Sequence, residues 1–91
     1  MSENTRSVLI TNKRGLHARA SAKFVTMASG LSARVEVEKD GSKVVGTSIM
    51  GLMMLGAAMG DTIIISAVGD AAASAVASLS ELVEAKFNEA E

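Results

Sequence analysis

The chain contains no cysteine, tyrosine or tryptophan, and only two phenylalanines and one histidine in 91 residues. Without cysteine, disulfides and thiol chemistry are excluded, and a reducing compartment is permitted. A metal site needs three or four clustered ligands, which a lone histidine without cysteines does not supply, so no metal and no other cofactor is expected. Two phenylalanines provide no stacking platform for single-stranded nucleic acid. Nine Lys/Arg against ten Asp/Glu leave a net charge of −1. No basic stripe runs along the chain, so no nucleic-acid footprint is expected either. Long hydrophobic runs are also missing. The most apolar stretch, residues 49–59, is broken by Gly51 and Gly56 and is too short to span a bilayer. No secretion signal is visible at the start of the sequence. The expectation is a cytoplasmic protein that does not enter the membrane.

What remains is ordinary globular material, 48% hydrophobic and 21% charged. Residues 1–91 make one domain, able to bury about 60–70% of the unfolded chain's surface without staples. Residues 7–11 (SVLIT) read as a strand with Val8 and Ile10 on one face. Residues 12–15 (NKRG) are turn chemistry. A helix is predicted from about Ala18 to Ser29, with an apolar stripe of Ala20, Phe24, Met27 and Leu31, and Gly30 as the C′ residue after it, a position glycine often fills in the left-handed conformation. Residues 33–39 alternate, with Val35 and Val37 inward. Asp40-Gly41 signals a hairpin into a short strand over 42–46. Ser48 is a natural N-cap for a short helix over 49–55, which Gly56 ends. Residues 62–68 (TIIISAV) form the most apolar strand and the expected centre of the sheet. Asp70 is predicted to cap a last helix with the stripe Ala72, Val76, Leu79, Val83 and Phe87.

The order is β-α-β-β-α-β-α. Alternating strands imply one solvated sheet face, so the fold class is α+β, a two-layer sandwich with the helices on the other face. A right-handed crossover from the first strand to the second leaves a slot between them for the apolar fourth strand.

The single histidine, His17, lies in NKRGLHARAS, residues 12–21. Taken alone, it reads as a surface residue at a helix start. A hydrolase could pair it with Ser21, four residues on and on the same helix face. That chemistry also needs an oxyanion hole and an acid to orient the histidine, and no carboxylate lies near in sequence. The neighbours favour something else. Gly15 allows a tight turn, and the helix that begins at His17 offers free N–H groups to an anion, phosphate above all. The same field opposes positive charge on the ring and leaves it nucleophilic. Arg19 supplies a fork of donors to phosphate oxygens. A nucleophile beside an anion cradle suits a phosphohistidine. With no general base and no substrate pocket, the phosphoryl group must come from, and leave to, another protein's active site.

These residues carry a family likeness. GLHARAS at 15–21 and SIMGLMMLG at 48–56, in that element order, resemble the HPr family, the histidine-containing phosphocarriers of the phosphoenolpyruvate-dependent phosphotransferase system. The likeness runs from Val8 to Phe87. It implies a four-stranded antiparallel sheet with three helices on one face. It also implies that His17 accepts a phosphoryl group on Nδ1 from phospho-enzyme I and passes it to EIIA-type domains, with Arg19 steadying the charge. Ala20 departs from the pattern, because many members carry proline there. Proline presets φ at a helix start, so alanine makes the first turn less rigid and bears on partner choice.

Four of the six methionines are Met50, Met53, Met54 and Met59. With Leu52 and Leu55 inward, Ile49, Met50 and Met53 face outward as an apolar patch, while Met54 and Met59 are expected to be structural. Flexible thioethers suit a surface that must meet several partners. The resemblance likewise places docking on the two helix starts, at Ala20, Thr47, Ile49, Met50 and Met53. It adds a second role for Ser48, as the target of an HPr kinase/phosphorylase. A carrier that uses one face for every partner is expected to be a monomer. The competing expectation is a regulatory binding module of a nitrogen- or carbon-related branch, in which phosphorylation of His17 and Ser48 sets partner affinity.

Overall fold

The computed structural model describes residues 3–90. Four strands, β1 (Glu3–Leu9), β2 (Arg34–Lys39), β3 (Ser42–Val45) and β4 (Thr62–Val68), alternate with three helices, α1 (Ala18–Ser29), α2 (Ile49–Met54) and α3 (Ala72–Glu84). The sheet is antiparallel in the order β1-β4-β2-β3. The most apolar strand does fill the slot between β1 and β2, as the crossover argument requires. Inward residues meet in register across it: Val8 opposite Ile63, Val37 opposite Ile65, Val35 opposite Ala67. All are buried, and with Phe24, Leu52, Leu79 and Val83 they form the core beneath the helices. The far face carries Leu9 and Val45 exposed to solvent.

Strand β1 is longer and earlier than residues 7–11. Its polar start is held by backbone pairing to β4, with Glu3 opposite Val68, and pairing needs no apolar side chains. The ladder ends at Leu9, where the chain bends into a link between Ile10 N–H and the Asp61 carbonyl (2.8 Å). The Asp40-Gly41 hairpin is as expected, with φ of +50° and +85°.

Helix ends provide three corrections. Gly30 closes α1 with φ −89°, not left-handed, and its N–H meets the Met27 carbonyl at 3.1 Å. Asp70 is not the cap of α3. Ala71 occupies that position with no side-chain cap, because Gly69 (φ +126°) turns the chain and its carbonyl accepts from Ala72 N–H at 3.2 Å. Phe87, expected on the α3 stripe, lies beyond the helix. Lys86, Phe87 and Asn88 have φ of +58°, +55° and +59°, a single left-handed turn that still drives the Phe87 ring fully into the core. Non-glycine residues adopt that region at roughly 1–2 kcal/mol each, so burial of Phe87 must offset the turn. The chain then heads back towards the start of α1.

Candidate functional site

Gly15 sets the approach to His17. Its φ is +62°, and a Cβ there would lie 2.3 Å from the Ala57 carbonyl oxygen and 2.8 Å from Ala58 Cα. Only glycine fits both the conformation and the gap. The contact is closed by Leu16 N–H donating to the Ala57 carbonyl at 3.0 Å, so the segment after α2 abuts the loop before α1. Asn12, read from the sequence as a turn residue, is fully buried and donates through Nδ2 to the Gly15 carbonyl at 2.9 Å.

His17 is the N-cap residue of α1, with extended backbone (φ −73°, ψ 179°). Its Nδ1 accepts the Arg19 backbone N–H at 3.2 Å. The ring is mostly covered and its other nitrogen, Nε2, is hydrogen-bonded to Glu89 Oε2. The second carboxylate oxygen of Glu89 accepts from Asn12 Nδ2 at 3.1 Å. Lys23 Nζ donates to the Phe87 carbonyl at 2.6 Å and pins the left-handed turn that delivers Glu89. Partial burial pushes the Glu89 carboxyl up. Hydrogen bonds from His17 and Asn12, with the charge of Lys23, outweigh that and hold it below the ordinary glutamate range.

Two partners assign the ring's proton. A backbone N–H at Nδ1 requires a lone pair there, and a carboxylate at Nε2 requires a proton there. The nitrogen with the free pair therefore lies at the helix start. Around it, Lys13, Arg14, Arg19 and Lys23 line a cavity of about 370 Å³, with Asn88, Glu89 and Ala90 as its other wall. Four cations and a helix N-terminus make it an anion basin. Among the described residues there is no metal-ligand cluster.

Sequence reasoning missed Asn12 and Glu89. The statement that no carboxylate lies near His17 holds along the chain and fails in space, since Glu89 is 72 positions away. The one signal pointing there was the apolar Phe87, which ties the tail to the core. The hydrolase reading fails on Ser21, whose buried Oγ donates to the Leu16 carbonyl at 3.2 Å and not to His17.

Ser48 caps α2 as expected, its Oγ accepting from Gly51 N–H at 3.0 Å. Leu52 and Leu55 are buried, while Ile49, Met50 and Met53 are exposed and Thr47 is exposed beside them. Two expectations need correcting. Met54 and Met59, taken as structural, are 79% and 57% exposed: Met54 because the short helix turns only its leucine side to the core, Met59 because it lies in the turn before β4. Ala20 is fully buried on the inner side of α1 and presents no surface to a partner. No helix among the described residues is long and apolar enough to cross a membrane.

Residues 4–85 match the sequence family described as PTS HPr component phosphorylation site. The chain is 48% identical over 85 residues to the phosphocarrier protein HPr of Neisseria meningitidis, covering 93% of this chain and 96% of that protein. It is 40% identical over 90 residues to the phosphocarrier protein NPr of Shewanella violacea, covering 99% of both. Among solved structures it is similar to HPr from Thermoanaerobacter tengcongensis, with a TM-score of 0.88, 46% identity and full coverage of both chains. HPr from Bacillus anthracis superposes with a TM-score of 0.87 at 36% identity, over 91% of this chain and 99% of that one.

Proposed function

The chain belongs to the HPr family of phosphotransferase-system phosphocarriers, and from that membership we propose that His17 is the residue that carries the phosphoryl group. The observation that carries the assignment is the placement of His17 Nδ1. It lies at the start of α1, 3.2 Å from a backbone N–H, beside a basin lined by four cations. A phosphoryl group bound to Nδ1 takes the place of that lone pair, and its oxygens then accept the helix N–H that Nδ1 gave up. Arg19 contributes a guanidinium to the same oxygens. The donor is phospho-enzyme I and the acceptor an EIIA-type domain.

Docking is assigned to the exposed residues Thr47, Ile49, Met50 and Met53, now joined by Met54. One face serving both donor and acceptor makes a monomer sufficient. Ser48 is assigned a regulatory role, with a kinase/phosphorylase of the HPr type as its partner. A phosphate there meets the helix N-terminus, so it leaves α2 folded and acts on partners instead. The regulatory-module reading is not favoured, since the relatives are named as phosphocarriers.

The test is direct. The chain is incubated with phosphoenolpyruvate and enzyme I, then given an EIIA domain. Acid-labile phosphate should appear on His17 and move to the acceptor. A chain that never loads removes the assignment, and one that loads but never discharges is not a carrier.

A further inference from the structure

Among the described residues Glu89 is the one acidic residue lining the basin, and nothing in the transfer scheme so far uses it. Its position is over-determined. Asn12 holds one carboxylate oxygen, His17 Nε2 the other, and Lys23 ties down the preceding carbonyl of Phe87. Three consecutive non-glycine residues in the left-handed region steer the chain so that this carboxylate reaches the ring. Strain of that kind persists where the surroundings enforce it. The result is a buried amide, a carboxylate and an imidazole in series, with the free ring nitrogen aimed at the helix start.

We propose that Glu89 is a positioning residue for phosphotransfer: its carboxylate keeps the ring proton on Nε2, presents Nδ1 as the nucleophile, and offsets the charge the ring acquires during transfer. The proposal rests on His17 being the acceptor. The step balances without moving that proton. The Nδ1 lone pair attacks phosphorus, the Nδ1–P bond forms, and the bond from phosphorus to the donor protein's carrying atom breaks, its electron pair staying with that atom. The acceptor ring, neutral with hydrogen on Nε2, becomes a phospho-imidazolium with the same hydrogen facing Glu89. Discharge reverses this, and the carboxylate again holds the proton on the leaving ring. An acid that orients a histidine and stabilises its cationic form is a known catalytic arrangement in other chemistry. Here it sits across the ring from the incoming phosphate, so its negative charge faces the far nitrogen.

Among the described residues, the charged groups around the ring are Lys13 and Arg14 from the loop, Arg19 and Lys23 from α1, and Glu89 from the C-terminal segment. The four cations oppose positive charge on the ring, so removing the charge of Glu89 should have a readable effect.

The experiment uses the full chain with Glu89→Gln, which keeps the shape and loses the charge, and Glu84→Gln as a control. Glu84 is exposed on α3 and pairs with Arg6 at 3.9 Å, remote from His17 in function. Three quantities are measured: loading rate from phospho-enzyme I, the pH midpoint of the phosphorylated ring followed by ¹⁵N NMR, and thermal stability. Glu89→Gln should load about tenfold more slowly and lower the midpoint by about one pH unit, the equivalent of the same electrostatic change. Glu84→Gln should match wild type in rate and midpoint. Wild-type rate and midpoint in Glu89→Gln would overturn the role of Glu89 and leave His17 as acceptor. A wild-type chain that does not load at all would overturn both readings together.

Discussion

At Gly15, a methyl group would have to occupy space 2.3 Å from a backbone oxygen while the backbone held φ at +62°. Neither partner is a flexible side-chain end, so the loop must move. Gly15→Ala should destabilise the fold by more than about 3 kcal/mol, combining overpacking with left-handed strain. Urea unfolding measures it, and a loss under about 1 kcal/mol would mean that the loop relaxes freely. Glu89 provides a second residue-scale effect, now on stability. Its folded carboxyl lies below its unfolded value of 4.5, so its contribution is present above that pH and disappears as acid protonates the folded group. The stability gap between wild type and Glu89→Gln should therefore be full above about pH 4.5 and close as pH falls below it. A gap that widens in acid would contradict the hydrogen-bonding scheme around Glu89.

Elements are where patterning was most informative. Val35 and Val37 on β2, the Asp40-Gly41 turn, and the leucines of α2 could all be read from period and turn chemistry, because each depends on residues a few positions apart. Helix ends were less legible. Asp70 looked like a cap, yet a glycine turn with backbone hydrogen bonds closed that end without it. The outward side of α2 was read correctly at Ile49, Met50 and Met53. It was read wrongly at Met54, since six residues of helix leave no second buried side. Met50 is 70% exposed, so Met50→Glu should change folding stability by about 0.5 kcal/mol or less. In a close-packed contact the same carboxylate is desolvated without a partner, so binding to both enzyme I and an EIIA domain should weaken by at least tenfold. Calorimetry of folding and of binding separates the two. Ser48→Asp keeps a good N-cap while placing charge beside that patch. Loading of His17 should slow several-fold with the thermal midpoint unchanged, and an unchanged rate would leave Ser48 as a cap only.

Across the whole molecule, the site joins the two ends of the chain. Asn12, Gly15 and His17 come from the first fifth of the sequence and Glu89 from its last few residues. Local pattern could find His17 and Arg19, because a helix start is a local feature. It could not find Glu89, because a contact across 72 positions exists only once the sheet, α3 and the left-handed turn are in place. The residue that turns this closure into energy is Phe87, fully buried although it lies past the last helix. Phe87→Ala should cost about 3–5 kcal/mol, from lost transfer energy and the cavity left behind. Domains of this size have about 5–10 kcal/mol in all, so that variant should melt far below wild type. Cutting the chain after Asn88 removes Glu89 but keeps the Phe87 ring in the core. It also keeps the carbonyl group that Lys23 binds. The truncated protein should therefore retain most of its thermal midpoint while loading phosphate slowly, as Glu89→Gln does. If truncation instead unfolds the protein as severely as Phe87→Ala, the tail holds the fold together by contacts beyond Phe87, and the positioning role of Glu89 is then read from Glu89→Gln and not from deletion.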